Sequence, residues 1–456
     1  MGVNFSAFEI GRRALHASQF GIAITGQNIA NVNTKGYSRQ APILVSGPSG
    51  GSSRLQIGTG VSVIGVQQFR DQFVATRLQT ETGITGRLTA QRDALSPVDA
   101  AFDESAGNGI GASINAFFAS FRALEANPVS VALRADVVGK ANTMTSAFAA
   151  TRQRLVDIRS TNDAQFRIEA GQLNELTSQV ADLNVRIASA ENSSGNAAEL
   201  RDQRDQFVQQ ISELTGARAV ENDSMVTLTL SDGRALVSGM HATAVDVQSQ
   251  PNGLASLLMD GTPAAIGDGR LKGLQNATGI ISGQIQSLDD LAVSITNRVN
   301  TVHSSGTDAN GNPAGNFFEA PISTASSFSV SAAIKADPRL ISASPLASGS
   351  AATVAGAIAD LLNDTSSVAG TRVGSFSSIY SSIVADAGKE VRSVEDGLTT
   401  QQAILAQAQA QRDQSSGVSL DEEAINLLQF QKSYEAAAKF LKVADEMTQT
   451  IMALGS

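Results

Sequence analysis

The chain has 456 residues, a formal net charge of −10 and no cysteine, which excludes several classes of protein. Its length corresponds to about three domains of roughly 100 to 200 residues each, and the absence of Cys rules out disulfides and thiolate metal sites. The acidic balance argues against nucleic-acid binding, because phosphates require clustered Lys and Arg.

The first element in chain order is a helix that we predict over residues 4–30. One of its faces carries an apolar residue at every seventh position: Phe8, Leu15, Ile22 and Ile29. Ser6 and Glu9 fit the capping-box pattern, which indicates a helix start, and the NVNTKGY segment that follows indicates its end. The N-terminus lacks the basic stretch and continuous apolar run of a secretory signal.

Residues 55–66 alternate as a strand does, and helices are predicted at 69–95 and 114–126, with a loop at 106–113 between them. The longest helical block, 135–190, carries a seam of apolar residues at spacings of three and four: Leu173, Leu176, Val180, Leu183 and Ile187. A turn at 191–200 and a returning helix at 200–214 predict an antiparallel helical hairpin. We expect that seam to form intramolecular core.

The pattern changes period after Gly216, where Val226, Leu228 and Leu230 alternate. Asp232 and Gly233 form a turn signal, so residues 235–237 are predicted as the partner strand, and short strands are expected up to about 266. Helix resumes from 271 to 303. A turn-rich loop with short strands is predicted at 307–327, and a further helical stretch at 354–413 is broken near 368–375.

The last helix is predicted from Ser419 to Leu454. Its apolar stripe follows the three–four spacing of a coiled coil: Leu427, Phe430, Tyr434, Ala437, Leu441, Ala444, Thr448 and Ile451. Ser419 and Glu422 fit a second capping box. The first 40 residues are net basic, whereas 420–456 hold six acids against three lysines, so we predict that the two terminal helices pair.

These elements predict an α+β fold that is elongated and multidomain, with a long helical bundle, paired terminal helices and an inserted β-rich domain. Residues 1–35 and 418–456 would form a terminal coiled-coil domain. Residues 36–216, 271–306 and 350–417 would form the helical body, and residues 217–270 and 307–349 a β-rich outer domain.

Sites of chemistry are hard to find in this sequence. Asp308, Asn310, Asn312 and Glu319 match a calcium-loop spacing, but Pro313 occupies the position that requires Gly, so an ordinary polar loop is expected. The glycines of GDGRLKG at 267–273 have the wrong spacing for nucleotide binding. The three histidines lie outside known catalytic motifs. We therefore predict no catalytic residue, no metal and no cofactor, and a protein that is not an enzyme.

Several segments resemble bacterial flagellar axial proteins, which comprise rod, hook and hook-associated proteins. NIANVNTKGYSRQ at 28–40 is similar to their N-terminal signature, and its GYSRQ ending resembles the hook-associated protein 1 type. LRDQRDQFVQQISELTG at 200–216 and the C-terminal motif at 418–447 support the resemblance. The signature residues carried over are Asn28, Asn31, Thr34, Gly36, Tyr37, Ser38, Arg39 and Gln40.

The resemblance implies a structural component of the junction between the flagellar hook and filament. It implies self-association in a junction layer, with Phe8, Leu15, Ile22, Ile29, Leu427, Phe430, Tyr434, Leu441 and Ile451 as the candidate assembly interface. The implied partners are hook protein, hook-associated protein 3 and a cytoplasmic export chaperone that binds the C-terminal helix; nucleic acid and membrane are not expected.

Composition alone predicts a cytoplasmic protein, whereas the resemblance implies an extracellular one, exported by the flagellar type III apparatus without a cleaved signal peptide. Three alternatives remain open. The chain could be another axial component, such as hook-associated protein 3 or hook protein. It could be an exported enzyme or adhesin on an axial scaffold, or a cytoplasmic coiled-coil scaffold. The chain is also short for the resembled family, which predicts that an outermost domain is reduced or missing.

Overall fold

The computed structural model describes residues 2–47, 49–50, 57–102, 109–193, 197–250, 253–345 and 353–454. Within these ranges the helices are α1 (Gly2–Ala30), α2 (Gln72–Ala101), α3 (Ile110–Ala126), α4 (Val131–Asn192), α5 (Ala198–Thr215), α6 (Arg270–His303), α7 (Ala332–Ala336), α8 (Val354–Asp360), α9 (Phe376–Ser416) and α10 (Leu420–Leu454). None of the described helices is long and apolar enough to span a membrane.

The strands are short and pair antiparallel throughout the described residues. They are β1 (Gln40–Ser46), β2 (Ser49–Gly50), β3 (Ile57–Gly58), β4 (Val61–Gln68), β5 (Arg218–Asn222), β6 (Met225–Thr229), β7 (Ala235–Ser238), β8 (His241–Ala242), β9 (Val245–Ser249), β10 (Ala255–Met259), β11 (Thr262–Ala264), β12 (Val368–Ala369) and β13 (Arg372–Val373). The two larger sheets have the orders β5-β6-β7-β8 and β11-β10-β9, while β1 pairs with β4, β2 with β3 and β12 with β13. The predicted α+β class is confirmed.

The helical hairpin and the adjoining sheets follow the sequence prediction closely. Leu173, Val180 and Ile187 are fully buried on α4, so the predicted internal seam is core. Asn184 on the same helix donates from Nδ2 to Val226 O (2.9 Å) and Gly239 O (2.7 Å), and its Oδ1 accepts from Val226 N. Through these three hydrogen bonds the buried amide ties the four-stranded sheet to α4.

The centre of the helical body is a cluster of phenylalanine rings. Phe117 lies 5.0 Å from Phe118 and 5.3 Å from Phe121, measured between ring centroids. Its ring also meets those of Phe317 and Phe318 at 5.6 and 5.5 Å. These contacts join the segment after α6 to α3, and they favour assigning residues 307–345 to the helical body rather than to the outer domain in which the sequence placed them. The division into three domains stays a prediction.

Three local predictions need correction. α1 begins at Gly2, so Ser6 lies inside the helix and cannot be its N-cap. The loop predicted at 106–113 is helical from Ile110 onward, and residues 106–108 lie outside the described ranges. The break in the helical stretch at 354–413 is longer than predicted, because α8 ends at Asp360 and the hairpin β12–β13 precedes α9.

Candidate assembly site at the paired termini

The terminal helices pack against each other within one chain, as the sequence predicts. Their order is antiparallel: Gly11 of α1 faces Leu441 of α10, and Gly21 faces Phe430. A Cβ atom added at Gly11 would lie 2.6 Å from Leu441 Cγ, and one added at Gly21 would lie 2.5 Å from Phe430 Cε1. Glycine is therefore favoured at both positions, because an added side chain would collide with the Leu441 or Phe430 side chain unless that side chain shifted.

On α10 the predicted stripe is largely the face that meets α1. Leu427, Phe430, Tyr434 and Leu441 are half-buried, and Ala437 and Ala444 are each 8% exposed. Ile451 departs from this pattern, since 54% of it is exposed. It therefore lies outside the contact between the two terminal helices of one chain, and its place in the assembly interface stays a prediction.

On α1 the predicted heptad lies at the edge of the contact. Phe8, Leu15, Ile22 and Ile29 are all half-buried, whereas the buried line consists of Gly11, Ala17, Ser18, Gly21, Ile24, Thr25 and Asn28. Small residues let the two helix axes approach closely, and a search for large apolar residues passes over them. The helical glycines are the sequence signal that could have found this face, because an interior glycine costs about 1 kcal/mol relative to Ala unless packing requires it.

Asn28 is the centre of a buried hydrogen-bond network that joins the loop at 31–39, which we call the signature loop, to both terminal helices. Its Nδ2 donates to Gln40 O (2.8 Å) and to Glu423 Oε2 (2.9 Å). Its Oδ1 accepts from Tyr37 O–H (2.8 Å) and from Gln40 N–H (3.0 Å). Both donors and both acceptor positions of the amide are used, so Asn28 fixes the loop and α10 at once. We call Asn28, Tyr37, Arg39, Gln40 and Glu423 the latch.

Glu423 and Arg39 complete the latch with a charged pair. The Glu423 side chain is only 2% exposed, and its Oε1 accepts from Arg39 Nε at 2.8 Å. Arg39 also pairs with Glu422 at 2.8 Å, and its guanidinium lies 5.2 Å from the centroid of the Phe69 ring. The desolvation cost of burying this carboxylate is compensated by the Arg39 cation and the Asn28 amide, and both are in place only when α10 lies against α1 and the signature loop.

The remaining signature residues shape the loop or contact the helical body. Gly36 has φ +90, a conformation that favours glycine. Ser38 N–H donates to Asp202 Oδ2 at 3.2 Å, and Asn31 donates to Gln27 O at 3.0 Å. Thr34 is exposed and donates to Asn31 Oδ1 at 3.1 Å. The signature therefore acts through packing and hydrogen bonding.

Burial raises two pKa values, that of Tyr37 within the latch and that of Asp202 beside it. It raises the pKa of Tyr37 to about 12, with the carboxylates of Asp202, Glu199 and Glu423 adding to the effect. It also raises the pKa of Asp202 to about 6, although the Ser38 N–H bond acts in the opposite direction. Tyr37 is therefore a neutral hydrogen-bond donor at physiological pH, and Asp202 gains a proton as the pH falls to about 6.

Sequence reasoning missed Glu423, Asp202, Gly11 and Gly21. Glu423 is one of three acids in the first turn of α10. Acids at that end of a helix suit its dipole, so the sequence gives no reason to single out Glu423. Asp202 lies in a recognised motif, but its partner Ser38 is 164 positions away in the chain. Neither contact leaves a local pattern in the sequence.

The calcium-like spacing does not gather its side chains. Asp308 Oδ1 accepts from Asn310 N (2.8 Å) and Asn312 N (2.9 Å), while Glu319 Oε1 accepts from Ala332 N (2.7 Å). In the described part of the chain no group of three or more His, Cys, Asp or Glu side chains could hold a metal ion. His303 is buried with both ring nitrogens engaged, Nδ1 with Gly315 O and Nε2 with Ser342 N.

Comparison with known proteins decides the family. The model of the flagellar hook-associated protein FlgK helical domain matches residues 95–318, and that of the flagellar basal body rod FlgEFG protein C-terminal region matches residues 409–454. Flagellar hook-associated protein 1 of Bacillus subtilis is 25% identical over 509 residues, covering 99% of this chain and 98% of that protein. The chain belongs to the flagellar hook-associated protein 1 family.

Two further proteins agree with this assignment. Hook-associated protein 1 of Escherichia coli is 25% identical over 540 residues, covering 96% of this chain and 97% of that protein. The structure of the flagellar hook junction protein FlgK from Burkholderia pseudomallei has a TM-score of 0.65 and 16% identity, covering 74% of this chain and 99% of that one, which shows a shared fold. The alignments with the B. subtilis and E. coli proteins are longer than the 456 residues of this chain, so those two relatives contain additional internal residues.

Proposed function

We propose that the chain is a structural axial component of the bacterial flagellum that forms the junction between hook and filament and performs no catalysis. The observation that carries this function is the closed pair of terminal helices, in which the family signature is tied to α10 through Asn28 and Glu423. The signature and the C-terminal motif thus serve one purpose, because together they build a single terminal element.

A second apolar stripe on α10 supports assembly through this element. It lies on the side of the helix turned away from α1 and consists of exposed residues at helical spacing: Ile425 (67%), Leu428 (61%), Val443 (54%) and Met447 (56%). Phe440, which is 44% exposed, borders this stripe and reaches Gly11 of α1. On α1 the outward residues include Ala23, Gly26 and Ala30, all exposed, and Gly26 has open space around it. A neighbouring copy can place its large side chains over these small ones.

Self-association is therefore the interaction we propose for the two exposed faces. Each apolar residue that a neighbour buries fully would contribute about 1.5 to 3 kcal/mol relative to exposure. We propose hook protein and hook-associated protein 3 as the axial neighbours, as the family resemblance implies. A cytoplasmic export chaperone on α10 would cover the exposed stripe, or replace α1 on the inner face, before the chain leaves the cell by the flagellar export route without a cleaved signal peptide.

Immunolabelling of intact and filament-less cells tests the location. We expect label at the tip of the hook in filament-less cells and at the base of the filament in intact ones, and none on cells whose flagellar export is disabled. Label along the whole hook would indicate a different axial component. Label that stays inside cells with active export would contradict the proposed function altogether.

A further inference from the structure

Helix α9 is anchored in the apolar core at one end only. Phe376 and Ile379 in its first turns are buried, and Phe376 stacks on Phe118 with the ring centroids 5.7 Å apart. Among the described residues, the core that holds them continues along α9 only as far as Val394. We call residues 401–416, which lie beyond it, the tail of α9. Hydrophobic burial therefore stabilises the first part of α9 more than its tail.

The tail contributes small and polar side chains to its contact with α2. Its buried residues are Gln401, Ala408 and Ser416, whereas its largest apolar residues, Ile404 and Leu405, are only half-buried. Hydrogen bonds between polar groups exchange for bonds to water at small net cost. This contact therefore holds the tail weakly.

Two side-chain bonds and a cavity complete the contact between the tail and α2. Gln401 Nε2 donates to Glu81 Oε2 at 2.6 Å, and Arg77 Nη1 donates to Gln411 Oε1 at 3.1 Å. A polar cavity of about 300 Å³ lies between α2, α5, the tail and the signature loop. Gln79 lines it, and the Oε1 atom of Gln79 is buried without a hydrogen-bond partner among the described residues. Such a cavity is suited to water, which competes for the hydrogen bonds of the tail.

The helix is also weak where the tail begins. Gly397, Thr399 and Thr400 lie just before the tail, and all three favour the helix less than Ala does, glycine by about 1 kcal/mol. A Cβ atom added at Gly397 would meet only Leu88, at an ordinary contact distance of 3.7 Å, so packing does not require glycine there. The helix can therefore break at this point while its first part stays in the core.

The signature loop holds the far end of the tail. Arg39 N–H donates to Ser416 O at 2.9 Å, and this bond satisfies one of the carbonyl groups that the end of a helix leaves without a partner. Arg412 Nη2 donates to Tyr37 O at 3.1 Å. The loop is also bound to α5, through Asp202. The loop and the tail therefore stabilise each other.

We propose that the tail of α9 is a coupling segment that becomes ordered only when the signature loop docks on it. With the loop docked, α9 is helical along its whole length and links the chain ends to the core of the body. With the loop released, the helix frays from Ser416 back to the weak point at Gly397, and the core stops the fraying there. The inference concerns how order spreads within one chain, and it does not depend on the junction function.

Hydrogen exchange with mass spectrometry on the full-length chain tests this coupling. Protection is followed in the signature loop, in the tail and in residues 379–394 of α9. Gln27→Cys and Glu199→Cys introduce two thiols into the Cys-free chain, in place of side chains whose polar ends lie 2.6 Å apart. Joining the thiols with a short bismaleimide holds the loop at the body. The same double variant with both thiols blocked separately is the reference.

We expect crosslinking to raise the protection of the loop and of the tail together, by about tenfold or more, because it raises the effective concentration of the loop at the body. Residues 379–394 should not change. In the crosslinked chain Arg412→Ala should lower the protection of the tail by about tenfold, since it removes one bond from a charged group. Arg392→Ala is the matched control, because Arg392 is exposed in the same helix before the tail, and it should leave the tail unchanged.

Three results would overturn the proposal. A tail as protected as residues 379–394 in a chain whose signature loop exchanges freely would show that the tail is ordered without the loop. A rise in the protection of the loop on crosslinking, with no rise in the tail, would show that docking does not order the tail. Unchanged protection of both segments would show that the loop does not dock at this place.

Discussion

Replacing Asn28 with alanine should separate α10 from α1 and the signature loop while leaving the helical body folded. The change leaves Tyr37 O–H, Gln40 N–H, Gln40 O and one Glu423 oxygen without their partner. Neutral hydrogen bonds contribute about 0.5 to 1.5 kcal/mol each and bonds to charged groups about 1.5 to 3. Because the four bonds share one amide and their losses are not additive, we expect about 3 to 4 kcal/mol in total.

Native-state hydrogen exchange with mass spectrometry measures this loss directly. Since 1.4 kcal/mol corresponds to a factor of ten, amide protection in α10 should fall by roughly two orders of magnitude or more, while protection in α4 stays the same. Asn33→Ala is the matched control, because Asn33 is exposed in the same loop. Equal protection of α10 in the Asn28 and Asn33 variants would refute the reasoning that the latch holds α10 against α1.

Three further predictions concern separate parts of the molecule. Gly21→Val should collide with Phe430 and lower protection in α10, whereas Gly26→Ala, which meets open space, should leave it equal or higher; the reverse order would contradict the helix register. Val443→Asp should leave the circular dichroism spectrum of the monomer unchanged but abolish motility. Cells that carry the control Val129→Asp, at a position 87% exposed in the body, should swim normally. Normal swimming by both kinds of cells would rule out the stripe as an interface. Burial lowers the pKa of His303 to about 4 from 6.5, so between these values the unfolded chain binds a proton that the folded state does not. The free energy of unfolding should therefore decrease as the pH is lowered from 6.5 to 4, by about 2 kcal/mol at pH 5. Urea unfolding at pH 7 and pH 5 should show this decrease and a smaller one for His303→Gln, and equal decreases would show that His303 is not the cause.

The sequence could predict the elements that large apolar residues mark. Leu427, Phe430, Tyr434 and Leu441 form a regular stripe, and a stripe of that kind has to face another helix. The same search misjudged α1, because its contact face consists of Gly11, Gly21 and other small residues. A close helix contact that depends on glycine, which has no side chain, produces little hydrophobic signal in the sequence.

The polar contacts were beyond prediction for a different reason. Asn28 and Glu423 belong to two motifs that were each recognised, yet the bond between them requires the folded body to bring the ends together. Likewise Phe317 and Phe318 were assigned to the outer part of the molecule, because nothing local indicates that their rings meet Phe117. Pairing between distant residues is set by the whole fold and by no single segment.

The Asn28–Glu423 bond spans 395 positions of the chain, and this distance sets the order in which the molecule can be completed. Closing so long a loop is entropically costly unless the intervening chain is already compact. We therefore expect the body to fold first and to bring the two ends together, so that the bond forms last. A chain that ends early, before position 423, can fold its body but cannot close its termini. The termini can therefore close only in a subunit that has been synthesised nearly to its end.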